Sequence, residues 1–203
     1  MSCGDVEHLR AMYPWPAAVP TFAGPPEDLL DRDTKDAIER LLPADAACVI
    51  ELGSYEGASA EYLLSLIPGV VICVDHWQGF PGWNLRQRML PHYQRFVATV
   101  WEHRDRVIPV REKTVAGLAR IHDCGIRPDL ILIDAGHDEQ SVYEDVSVSC
   151  ELFPGVNLIG HDWSNRPGVA AGLRRAVAEG LTSELPTFTH GENWWSLTTG
   201  AQP

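Results

Sequence analysis

Five short apolar runs recur along the chain without polar alternation: CVIEL (48–52), VVICVD (70–75), VIPV (107–110), LILID (130–134) and VNLIG (156–160). Each is rich in Val and Ile, as expected of a strand buried on both faces of a parallel sheet. Helix-like stretches lie between them. EDLLDRDTKDAIERLL (27–42) precedes the first run and ASAEYLLSLI (58–67) follows it. TVAGLARI (114–121) and EQSVYEDVSVSCELF (139–153) flank the fourth, and VAAGLRRAVAEG (169–180) follows the fifth. This alternation predicts an α/β fold with a Rossmann-like, doubly wound, mostly parallel sheet. The tail, LPTFTH (185–190) and NWWSL (193–197) around a Gly-containing turn, predicts a C-terminal antiparallel hairpin at one sheet edge.

No repeat or linker divides the chain, so residues 1–203 are expected to form one domain with an N-terminal extension over 1–26. One connection is long. Residues 76–106 begin with the breakers Gly79, Pro81 and Gly82 and continue as a basic, aromatic helix interrupted near Pro91. Long excursions over the carboxyl edge of such sheets serve as lids or substrate walls. Packing of Trp83, Tyr93, Phe96 and Trp101 against the body is an equal and compatible reading.

Composition narrows the class. With 45% hydrophobic residues and no 20-residue apolar run, the chain reads as globular and without a membrane span. The N-terminus lacks the pattern of a secretory signal. Five scattered cysteines, none in a C-x-x-C pair, suit reduced thiols in a cytoplasmic protein. A formal charge of −12 argues against nucleic acid and anionic membranes as partners and is compatible with a small neutral or cationic ligand. A homo-oligomer is left open.

The first strand runs into ELGSYEGAS (51–59), where Gly53 and Gly57 allow a tight turn and close approach to a ligand at a helix N-terminus. A dinucleotide fingerprint would place glycine at Ser54, and Glu51 and Glu56 add carboxylates that would repel a diphosphate. A sulfonium cofactor with a free amino group fits better. Asp75 ends the second strand about twenty residues on, where an acid binds ribose hydroxyls; His76 or Trp77 is then placed to lie on an adenine face. Asp75 also reads as a cap.

ELGSYEG, VICVD, PDLILIDAGHD and LIGHDW, in this order and spacing, resemble the class I S-adenosylmethionine-dependent methyltransferases over roughly residues 30–180. The likeness is nearest to the metal-dependent O-methyltransferases of macrolide and aminocoumarin sugars, and to the cephalosporin-hydroxylase-like branch. It implies S-adenosylmethionine as cofactor, contacted by Glu51, Gly53, Ser54, Tyr55, Gly57, Asp75, His76, Trp77, Thr114 and Asp134. It also implies a divalent ion, usually magnesium, at the ends of the fourth and fifth strands, matching Asp134, His161 and Asp162. His137, three residues after the first acid, matches a general base. Thr114 reads equally as a helix N-cap.

The chemistry is arguable from the residues as well. Two neighbouring strands ending in Asp134 and Asp162 would bring two carboxylates together, and a cation relieves their repulsion. Magnesium or manganese would leave positions for a vicinal diol, lowering the pKa of the hydroxyl to be methylated. His137 is then the base. His161 stands where the family has a second acid, and histidine suits a transition metal better than magnesium. The expected activity is therefore O-methylation of a small-molecule acceptor such as a sugar, polyol or natural product. A metal-dependent hydrolase using the same edge, and a catalytically silent nucleoside-binding protein, are the alternatives.

Overall fold

The computed structural model describes residues 5–21, 30–79, 91–182, 187–189 and 193–199. The elements run α1 (Val6–Met12), α2 (Arg32–Leu41), β1 (Cys48–Leu52), α3 (Ala58–Leu66), β2 (Val70–Val74) and α4 (His92–Thr99). A 3-10 turn (Trp101–Arg106), β3 (Val107–Val110), α5 (Thr114–Asp123), β4 (Leu130–Ile133) and α6 (Glu139–Leu152) follow. The chain then forms β5 (Asn157–Gly160), α7 (Pro167–Ala178), β6 (Thr187–Thr189) and β7 (Trp194–Thr198). All seven strands join one sheet in the order β3-β2-β1-β4-β5-β7-β6. Pairing is parallel from β3 through β5, whereas β7 is antiparallel to both β5 and β6. The doubly wound sheet with its C-terminal hairpin is as the apolar runs predict.

The unalternated strands are explained by the two layers that cover them. Cys48, Ile50 and Leu52 face a cluster with Leu118, Val142 and Leu173 from α5, α6 and α7. Val49, Val71 and Cys73 face the opposite cluster, with Ile38, Leu63 and Phe96 from α2, α3 and α4. Both faces of the parallel strands are covered, so their polar positions reduce to the buried Glu51 and the exposed Asn157 that opens β5. Each buried Val, Leu or Ile contributes roughly 1.5–3 kcal/mol relative to exposure. Cys48, Cys73 and Cys150 are buried and form no disulfide, as the scattered spacing suggests.

Several boundaries differ from the sequence pattern. α2 begins at Arg32, because the Asp31 carboxylate accepts the Thr34 N–H at 2.8 Å and caps the helix there; residues 27–29 lie outside the described residues. α7 begins earlier than expected, with Pro167 pre-set for its first turn. α1 was not anticipated. It is pinned by Arg10, whose guanidinium donates to the carbonyls of Arg104, Asp105 and Val107, and by Tyr13 Oη donating to Glu112. Of the long excursion, residues 80–90 lie outside the described residues, as do 1–4 and 22–26 of the extension and the hairpin turn at 190–192. Trp194 and Trp195 sit on a strand interior to the sheet and are buried within the chain. Among the described residues no helix is long and apolar enough to cross a membrane.

Candidate active site

Register alone brings the ionisable strand ends together. Ile133 pairs with Gly160, so Asp134 and His161 leave adjacent strands side by side. Leu52 pairs with both Ile133 and Val74, so Gly53 stands between Asp134 and Asp75 along the same edge. Asp162 follows in a left-handed conformation, φ 67, and Tyr55 and Trp77 adopt φ 45 and 50. All three positive-φ side-chain-bearing residues of the described chain lie at this carboxyl edge. Each costs about 1–2 kcal/mol, the kind of strain that persists where surroundings enforce it.

Asp134, His161 and Asp162 each offer a ligand atom, and these atoms lie within 4.8 Å of one another. His137 joins them: its Nε2 is 3.4 Å from Asp134 Oδ1 and 3.1 Å from Asp162 Oδ2. Hydrogen bonds to Asp134 and Asp162 outweigh partial burial and push the ring's pKa up to about 9. Its hydrogen bond in turn holds the Asp162 carboxyl below its usual value, with His161 and Arg166 adding to the effect. The cation facing both carboxylates is thus the His137 imidazolium. His161 Nδ1 lies 3.4 Å from Asp162 Oδ1, while its Nε2 meets Asn193 Nδ2 at 2.7 Å. Ser164 Oγ donates to Asn193 Oδ1 at 3.1 Å. Arg166 Nε approaches Asp162 Oδ2 at 3.6 Å.

The turn after β1 forms the second half of the edge. A Cβ on Gly53 would overlap the Asp134 carbonyl, so only glycine lets the β1 and β4 ends approach this closely. Glu51 is fully buried, and no cationic side chain among the described residues pairs with it. Burial pushes its pKa up to about 7, against smaller opposing effects of Ser54, Ser59 and Cys73 and with a further rise from the Asp134 charge. Asp75 accepts the Tyr55 N–H at 3.0 Å and the Trp77 N–H at 2.6 Å, one on each oxygen, and burial raises its pKa. A carboxylate has about four acceptor positions, so capping leaves capacity for further hydroxyl donors.

Other predicted residues sit less centrally. His76 Nδ1 accepts the Gln78 N–H, and the Trp77 ring packs on Phe96 and Tyr93, with its Nε1 donating to the Tyr55 carbonyl. Thr114 is the first residue of α5, not its N-cap, which is Lys113. Its hydroxyl acts on the buried Asp145, whose pKa burial nonetheless lifts to about 7. Glu56 corrects the sequence reading: it is 1% exposed and paired with His92 and Arg95, so its charge is answered inside the protein. Arg166 and Asn193 were missed. Arg166 stands four residues after Asp162, which is a readable signal; Asn193, just before β7, comes from far along the chain and has none.

The family described as "Methyltransferase domain" matches residues 50–163, more than half of the chain. No curated protein matches. Among solved structures the chain is similar to the O-methyltransferase TomG from Streptomyces achromogenes, involved in tomaymycin synthesis and solved with S-adenosylmethionine. Identity is 16% and the TM-score 0.55, over 82% of this chain and 78% of that one. An O-methyltransferase from Bacillus cereus, in complex with S-adenosylhomocysteine, gives 18% and 0.56 over 81% and 78%. The calicheamicin methyltransferase CalS11 gives 13% and 0.59 over 83% and 80%. At such identities the likeness is one of fold.

Proposed function

The chain belongs to the methyltransferase-domain family, and from that premise we propose that it moves the methyl group of S-adenosylmethionine to a hydroxyl oxygen of a small molecule, with a divalent metal at the strand ends. The observation that carries the reading is the convergence of Asp134, His137 and Asp162 beside the Gly53 turn. The residues fit both groups. Glu51, buried and without a cationic partner among the described residues, suits the cofactor's ammonium, and Asp75 keeps acceptor capacity for ribose hydroxyls. Asp134 and Asp162 supply hard oxygen donors and His161 a nitrogen, a set that admits magnesium or manganese and favours the latter.

When bound, the sulfonium supplies the methyl group, and the metal supplies positive charge that favours the ionised hydroxyl. The chain's own residues do the rest. Glu51 and the turn orient the cofactor from beneath the edge, and Asp75 fixes its ribose. His137, in the neutral form it adopts once a metal cation replaces its proton between Asp134 and Asp162, would take the acceptor's proton at Nε2. Positioning and electrostatic stabilisation of the developing oxyanion are the main contributions expected of such a site.

A sugar, polyol or natural product is the acceptor class we favour. CalS11 is described as a TDP-rhamnose 3′-O-methyltransferase of calicheamicin biosynthesis, and TomG serves tomaymycin synthesis. The test is calorimetric titration of chelator-treated protein with S-adenosylhomocysteine, then with magnesium or manganese, followed by methyl transfer from labelled cofactor to a panel of diols. One-to-one nucleoside binding and metal-stimulated labelling are expected. Metal binding without nucleoside binding would overturn the reading in favour of a hydrolase.

A further inference from the structure

Glu56 lies at the centre of a buried ion cluster that the proposed transfer does not use. Its Oε1 is 3.0 Å from His92 Nδ1 and its Oε2 is 3.2 Å from Arg95 Nη1, with the His92 side chain 2% exposed. Both partners belong to α4, in the long excursion between β2 and β3. The same helix grips the turn by packing. The His92 ring lies 4.9 Å from the Tyr55 ring, and a Cβ on Gly57 would press on Phe96 and Val100. Trp77 bridges the two, donating to the Tyr55 carbonyl at 2.6 Å while its ring rests 4.7 Å from that of Phe96.

The turn needs such a hold. Three of its five residues have positive φ: Gly53 at 92, Tyr55 at 45 and Gly57 at 89. Tyr55 carries a side chain there, so the shape is not one the segment favours by itself. A buried ion pair adds little net stability compared with apolar packing, and its better-attested use is to specify one arrangement. Here it specifies where the turn sits relative to α4.

We propose that Glu56, His92 and Arg95 form a latch through which α4 holds the cofactor turn in its binding shape, so that occupancy of the turn and ordering of α4 are one equilibrium. This rests on the cofactor reading above. The three are positioning residues; none is asked to touch reacting atoms. Linkage makes the effect reciprocal, so the cofactor tightens α4 as much as α4 favours the cofactor. Because α4 belongs to the excursion expected to wall the acceptor, cofactor binding would prepare the acceptor side, and binding would be ordered with cofactor first.

The test combines S-adenosylhomocysteine calorimetry with hydrogen exchange of the α4 amides in wild type, Glu56→Gln and Arg95→Met. Ligand is expected to slow exchange over residues 96–100 in wild type. In both variants affinity should fall roughly tenfold, the scale of one charge-assisted hydrogen bond, and the α4 protection on saturation should disappear. Glu56→Gln removes the charged acceptor shared by His92 and Arg95 and can unfold; Arg95→Met, at a 19% exposed side chain, then carries the test. Ligand protection of α4 that survives in a folded variant at saturation overturns the latch whatever happens to affinity. Failure of the wild type to bind the nucleoside overturns the cofactor reading and the latch together.

Discussion

In protein stripped of divalent ions, His137 is expected to titrate near 9 instead of its ordinary 6.5. The cause is an imidazolium shared between Asp134 and Asp162, 3.4 and 3.1 Å away. A rise of this size corresponds to roughly 3 kcal/mol of preference for the charged ring. The His137 and Asp134 side chains are 35% and 40% exposed, so solvent screening reduces the contribution to stability to about 1–2 kcal/mol. Because the folded pKa is raised, that stabilisation is complete below about 6.5 and is lost as pH rises through about 9. Asp134→Asn removes the leading cause and Asp162→Asn the next. Each should lower the midpoint by about one pH unit, and the pair should return it most of the way to the ordinary value. The assay is NMR titration of the His137 ring protons in chelator-treated wild type and variants, with urea unfolding at pH values on either side of the midpoint. A wild-type midpoint near 6.5, or one that neither asparagine moves, would refute the shared-imidazolium geometry. Metal binding should release the same proton, and the neutral ring is the form that acts as a base.

Glu51 should show the opposite balance between stability and function. Its folded pKa is raised to about 7, so the cost of ionising it is absent below about 4.5 and complete above about 7. Glu51→Gln is therefore expected to stabilise the ligand-free protein by about 1–2 kcal/mol at pH 8 while weakening S-adenosylhomocysteine binding; a less stable variant at that pH would count against the buried-acid account. Asp75→Asn keeps an oxygen for one backbone N–H but loses the charge, and calorimetry should show a nucleoside affinity reduced at least tenfold with metal binding little changed. Parallel loss of both would show that Asp75 only holds the edge together. His161→Asp should move metal preference from manganese toward magnesium, read as the ratio of the two dissociation constants, since it replaces a nitrogen donor by oxygen. An unchanged ratio would place His161 outside the metal's ligands.

What the chain disclosed in advance follows from the range of the interactions involved. The five parallel strands and the hairpin are written locally, as apolar runs with breaks, and register then carries Asp134, His161 and Asp162 to one edge without further instruction. Pairings across long separations leave no such mark. Asn193 reaches His161 from 32 residues away, and Glu56 finds His92 and Arg95 at 36 and 39. Read as a string, Glu56 therefore looks like a second negative charge on the cofactor turn. Folded, it is neutralised by α4, and that changes the electrostatic argument for the cofactor. The residues left to disfavour a diphosphate are Glu51, which is neutral in part at physiological pH because burial lifts it to about 7, and Asp75, which already accepts two backbone N–H groups. Repulsion by the turn is consequently weaker than the sequence suggests. Discrimination must rest on the favourable side: a buried acid ready to be ionised by a ligand that brings its own positive charge. A cationic amino group gains most from that arrangement, because it supplies the opposite charge that Glu51 lacks among the described residues.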